Sequence, residues 1–235
     1  MRLAGLILAG AALSLAPAAA QAKPAARPTV ARDWTQTVVV TPEGGFRMGN
    51  PAAPVKLIEY GSLACPHCRH FEETGFRPLT QNYVRSGRVS YEFRNLLINA
   101  PDISISMLTR CAGPSKFFAM SAYVYSVQPE WEKKIEALTS AQQAELEKLT
   151  DQQRIIRLAQ IGGMGQIAAR FGITPAQAKQ CLSDTKAMTR LVAMTQAGND
   201  LGVAHTPTFL INGKIVDAAT WEDLEPELKA ALGTR

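Results

Sequence analysis

Cys65-Pro66-His67-Cys68 sits where a strand-like run, Val55-Lys56-Leu57-Ile58-Glu59-Tyr60, gives way to a helical one. A thiol at such a junction lies at the positive end of a helix macrodipole, with unpaired backbone N–H groups pointing at it, and this favours thiolate over thiol. Cys65 is therefore the candidate reactive sulfur. Cys68, one turn further along the same face, is placed to close a disulfide with it or to attack a mixed disulfide made by it. A chain organised around this junction must deliver a buried strand directly into a helix.

Other uses of two close cysteines make demands that the sequence does not meet. A zinc knuckle needs two more ligands at short spacing, and only His70 is near; c-type haem attachment needs His after the second Cys, where Arg69 stands. An inert staple across two residues would be strained and easily reduced.

The 235 residues are 46% hydrophobic, ample for a packed core, and the formal charge of +5 comes without a dense basic block interleaved with aromatics. That pattern argues against nucleic acid as a partner. Residues 1–22 read as an export signal: Arg2, an apolar stretch from Leu3 to about Leu15, then Ala18-Ala19-Ala20-Gln21-Ala22, with cleavage after Ala20 or Ala22. The apolar run falls short of the roughly 20 residues that span a bilayer. The expectation is a soluble protein delivered to an oxidising compartment, where its four cysteines suit disulfide chemistry.

Residues 23–35, rich in Pro and Ala, read as a flexible leader, with order beginning near Trp34. Thr37–Thr41 is strand-like, and Gly44-Gly45 and Gly49-Asn50-Pro51 supply turns before the buried strand at 55–60. Glu59 shares a face of that strand with Val55 and Leu57. A carboxyl group buried there has a raised pKa and can exchange protons with Cys68; the alternative is a strand-end carboxylate that reaches solvent. A helix from Arg69 to about Arg85, kinked at Pro78 and ended by Gly87, leads into a third strand, Val89–Arg94. The β-α-β connection makes these two strands parallel.

From about Pro101 to Asn199 the periodicity is helical: 102–111, 115–125, 141–160, a short helix opened by Thr174-Pro175 that contains Cys181, and another from Asp184. Strands return at 208–211 and 214–216 around Asn212-Gly213, and Thr220 caps a last helix carrying Leu224, Leu228 and Leu232.

The chain resembles the thioredoxin superfamily, and within it the DsbA-type bacterial thiol:disulfide oxidoreductases. The resemblance rests on the C-x-x-C after a buried strand, the acid six residues upstream, the helical insertion, and Thr206-Pro207 before a strand. It implies an α/β thioredoxin fold with an inserted helical domain: a first part at 36–98, the insertion at 99–202 and a closing part at 203–235. It also implies that Pro207 is a cis-proline set against the active-site disulfide, leaving the backbone of Thr206 to pair with a substrate strand. His67, inside the first helical turn, is placed to donate to the Cys65 thiolate and lower its pKa further. His205 either faces the same groove or fills a turn. In an exported oxidase Cys111 and Cys181 would be joined, which in the chain-entropy model stabilises by about 4 kcal/mol.

The resemblance implies a periplasmic dithiol oxidase without cofactor, monomeric, that donates its Cys65-Cys68 disulfide to unfolded or partly folded exported proteins and is re-oxidised by a DsbB-like membrane quinone reductase. Catalysis would fall to Cys65, Cys68, His67 and Glu59, and substrate binding to His205, Thr206 and Pro207. Thr206 before the proline is shared with isomerases and reductases, so a reductive or isomerising role stays open. A different class, a copper- or zinc-binding module on Cys65, Cys68 and His70, also remains.

Overall fold

The computed structural model describes residues 32–233; the expected export signal and residues 23–31 of the expected leader lie outside them. The leader's last residues are structured and half-buried rather than free. Asp33 caps a short turn at Trp34–Gln36, Trp34 N–H reaches the Arg85 carbonyl at 3.2 Å, and the Arg32 guanidinium stacks 4.0 Å from the Trp34 ring.

Among the described residues one sheet holds β1 (Val38–Val40), β2 (Phe46–Met48), β3 (Val55–Gly61), β4 (Val89–Asn95), β5 (Thr208–Ile211) and β6 (Lys214–Val216), in the order β1-β2-β4-β3-β5-β6. β3 and β4 run parallel, as the β-α-β reading requires, and every other neighbouring pair is antiparallel. β2 went unread because three residues between glycine turns are too few to show an alternation. The β5–β6 hairpin turns at Asn212 and Gly213, whose φ values of 50° and 81° suit the tight turn that Asn-Gly favours.

The helix begins at Pro66, directly after Cys65 as the strand-to-helix junction requires, and not only at Arg69. It runs through α1 (Pro66–Phe71), a π turn at Glu72–Phe76, α2 (Arg77–Leu79) and a second π turn at Thr80–Val84. Pro78 cannot donate a helical hydrogen bond and its ring crowds the preceding turn, and wide turns flank it on either side.

The insertion comprises α3 (Ala100–Cys111), α4 (Pro114–Ser126), α5 (Gln128–Glu136), α6 (Ser140–Glu147), α7 (Asp151–Ile161), α8 (Met164–Arg170), α9 (Pro175–Leu182) and α10 (Thr185–Asp200), and α11 (Trp221–Ala231) closes the chain. The single helix expected over 141–160 is two. Thr150 and Gln153 form a capping box that ends one and starts the next, as Thr139 and Gln142 do for α6. α5 and α8 were also missed, the first because Pro129 and its charges obscure the period. Cys111 at the end of α3 and Cys181 in α9 are joined by a disulfide across 70 residues, with Cα atoms 6.2 Å apart.

One face of the sheet packs with α1, α3 and α4 around Leu57, Phe71, Phe93, Phe117 and Phe209, with the Phe46 and Phe117 rings stacked at 3.8 Å. Tyr60, Leu96, Val203 and Leu210 form a smaller cluster. Burial of each such large apolar side chain stabilises by about 1.5–3 kcal/mol. Among the described residues no helix is long and apolar enough to cross a membrane.

Candidate active site

β3 ends at Gly61, a position with no room for a side chain: a Cβ there would meet the Phe93 ring at 2.5 Å and the Glu59 carboxyl at 2.7 Å. The chain turns through Ser62, Leu63 and Ala64, and Cys65 takes the cap position of α1 with extended backbone, φ −96° and ψ 123°. Pro66 opens the helix, where its missing N–H costs nothing. No side chain caps this end, so the first N–H groups are left for sulfur.

Cys65 and Cys68 are both buried, 5% and 1% exposed, and both are free thiols. Their surroundings push them apart. The Cys65 thiol is held down at about 5 by a hydrogen bond from Cys68, then by the Thr206 side chain and the backbone N–H groups of Cys68 and His67, against its own burial. Cys68 is pushed well above its ordinary value by burial, by its hydrogen bond to Cys65 and by the nearby Glu59, and only the Ser62 backbone hydrogen bond opposes this. In its protonated form the Cys65 thiol donates to the Thr206 carbonyl at 3.3 Å.

His67 stands on the exposed side of the first turn. What it supplies to Cys65 is its backbone N–H, whereas an imidazole contact was expected. The His205 side chain is exposed beside the proline, its Nδ1 3.2 Å from the Pro207 carbonyl oxygen and 3.3 Å from the Thr208 hydroxyl. The Thr206–Pro207 peptide is cis, and Pro207 is buried. His70 is exposed, and among the described residues no three His, Cys, Asp or Glu side chains are grouped to hold a metal ion.

Glu59 is buried, 2% exposed, and accepts a hydrogen bond from the Tyr91 hydroxyl. Burial pushes it up to about 8, with the Cys65 charge adding and Tyr91 opposing. Arg94, on the neighbouring strand, pairs with Glu92 at 2.7 Å and Glu43 at 3.6 Å. It lies on the alternate face of β4 from Tyr91, so its guanidinium is directed away from Glu59.

Three acidic residues around the dithiol were missed. Glu72, one turn beyond Cys68, is raised to about 8 by burial and by Glu59. Glu132 on α5 is raised to about 7 by burial and by Glu136, and the Cys65 charge reaches it as well. Asp102 on α3 is fully buried under the Ser62-Leu63 turn and is raised to about 6 by burial against several hydrogen bonds. The i, i+4 spacing from Cys68 could have found Glu72. Nothing local marks the other two, which reach the site through the folding of the insertion.

The thioredoxin family model matches residues 41–230. A Rickettsia bellii relative, provisionally named a protein-disulfide oxidoreductase, is 30% identical over 176 residues, which are 73% of this chain and 58% of that protein. The chain thus spans little more than half the length of that relative. The crystal structure of a protein-disulfide isomerase from Novosphingobium aromaticivorans superposes with a TM-score of 0.75 at 30% identity, over 79% of this chain and 96% of the other. Wolbachia pipientis alpha-DsbA1 shares the fold, with a TM-score of 0.64 at 22% identity over 82% and 92% of the two chains. The family match takes in the sheet from β2 onward, the inserted helices and the closing hairpin, and on that extent the chain belongs to the thioredoxin family.

Proposed function

We propose that the protein is an exported, periplasmic thiol:disulfide oxidoreductase that works as a dithiol oxidase on folding proteins. The observation that carries this reading is the opposed ionisation of its two sulfurs, Cys65 near 5 and Cys68 far above its ordinary value. With Cys65 and Cys68 joined, a substrate thiolate attacks the Cys65 sulfur; the new bond is the mixed disulfide, and Cys68 leaves and takes a proton. Glu59, protonated up to about pH 8, sits beside Cys68 to supply it. A second substrate thiolate then attacks the substrate sulfur and expels Cys65 as a stable thiolate, so two electrons pass from substrate to protein. The Thr206-Pro207 backbone is the proposed docking edge for the substrate strand, and a DsbB-like quinone-linked membrane protein the proposed acceptor of the electrons.

Thiolate absorbance against pH, for wild type and Cys65→Ser, tests the reading. A transition well below pH 7 that vanishes in the variant is expected; a transition near 8.5 would remove its basis. Thr206, together with the likeness to a protein named an isomerase, favours isomerisation as the second reading. Equilibration with glutathione separates them: an oxidase is reduced readily, whereas a potential at or below that of glutathione indicates reduction or isomerisation.

A further inference from the structure

The turn that precedes Cys65 is held by side chains of the insertion. Asp102, fully buried in the first turn of α3, has its two carboxylate oxygens taken up by four donors. Oδ2 accepts from the Ser62 hydroxyl at 2.6 Å and Ile98 N–H at 3.2 Å; Oδ1 accepts from Leu63 N–H at 3.2 Å and the Ser106 hydroxyl at 3.1 Å. The Tyr125 hydroxyl donates to the Ser62 carbonyl at 3.0 Å and Gln128 Nε2 to the Leu63 carbonyl at 3.0 Å.

Ser62 is where these contacts meet the sulfurs. Its carbonyl accepts Cys65 N–H at 3.2 Å, its Oγ accepts Ala64 N–H at 3.0 Å, and its own N–H makes the backbone hydrogen bond to Cys68 that favours the thiolate. With its hydroxyl tied to Asp102, Ser62 has one orientation.

We infer that Asp102 is a positioning residue for Cys68: through Ser62 it fixes the N–H that stabilises the Cys68 thiolate each time that sulfur leaves or attacks. The role requires a carboxylate. An amide at this place has one acceptor oxygen and two N–H groups, and the latter would face donors. This inference rests on the disulfide-exchange reading above.

The test uses the reduced full chain and glutathione disulfide. Cys65 thiolate attacks the probe and expels one glutathione thiolate, giving a mixed disulfide. Cys68 thiolate then attacks the Cys65 sulfur, the Cys65–glutathione bond breaks, and the second glutathione thiolate leaves. Rapid acid quench and mass spectrometry follow the lifetime of the mixed disulfide. Asp102→Asn and Ser62→Ala are each expected to lengthen it about tenfold, the cost of one lost hydrogen bond to a charged group. Thiolate absorbance of Cys65 should stay at its wild-type midpoint in both. Ser62→Ala keeps the backbone and covers the case in which Asp102→Asn does not fold. Unchanged lifetimes overturn the positioning role, as does a Cys65 midpoint that moves with them, since the whole turn would then have loosened. If the wild-type protein forms no mixed disulfide, the exchange reading fails first and this inference with it.

Discussion

The Cys65 sulfur and the Thr206 carbonyl oxygen lie 3.3 Å apart although 141 residues separate them in the chain. The helical insertion is threaded between those two positions, so the site closes only when β5 has been laid beside β3. The Thr206 side chain, on the same residue, is among the groups that hold the Cys65 thiol down.

Thr206→Val removes that side-chain hydrogen bond and keeps the shape. The Cys65 midpoint should rise by roughly half to one unit, because the thiolate loses a stabilising partner. Absorbance titration reads it, and an unmoved midpoint would leave the backbone N–H groups and Cys68 as the whole cause.

Stability should depend on pH differently in the two redox states. Cys65 falls from an ordinary 9.0 to about 5 on folding, so its contribution is fully present above pH 9 and is lost as pH falls through 5. The disulfide form carries no such group. Denaturant midpoints should therefore show the reduced protein losing ground to the oxidised one between pH 9 and pH 5, and a constant gap would contradict the stabilised thiolate.

Glu59 carries the opposite sign. Its carboxyl rises from 4.5 to about 8, so the stability it confers as a neutral acid is present below 4.5 and lost as pH rises through 8. Glu59→Gln keeps a group that accepts from Tyr91 and escapes that loss. Urea denaturation at pH 8 should find the variant more stable by upwards of about 1 kcal/mol, with little difference at pH 4. Its Cys68 should close a mixed disulfide roughly tenfold or more slowly, since the proton partner is gone. A stability difference that is flat with pH would mean that the carboxyl ionises freely.

Replacing both Cys111 and Cys181 with Ala should cost about 2–5 kcal/mol, read as a lower melting temperature. The bond ties α3 to α9. The Cys65 titration should be unaffected, and a shift of that titration would mean the bond acts on the site.

What the sequence disclosed followed the range of the forces involved. The strand at Val55–Tyr60, the hairpin at Asn212-Gly213 and the caps at Thr174 and Thr220 are written in neighbouring residues, and each element was found within a residue or two. The division at Thr150 carried the same kind of local signal, a Thr with Gln three residues on, and was passed over because the apolar period runs on across it. Spacing places His67 in the first turn but does not choose its rotamer, so the exposed imidazole is not legible in the sequence. Asp102 and Glu132 were beyond reach. Before folding they are ordinary acids on polar stretches, and what makes them part of the site is the packing of α3 and α5 against the turn at Ser62.

Because Asp102, Tyr125 and Gln128 grip the residues on which both sulfurs hang, the four-residue motif is not a cassette that keeps its chemistry wherever it is pasted. A bare thioredoxin core given Cys-Pro-His-Cys would receive the letters without the scaffold that aims them. Any redesign of the added helices is, by the same token, a redesign of the dithiol site.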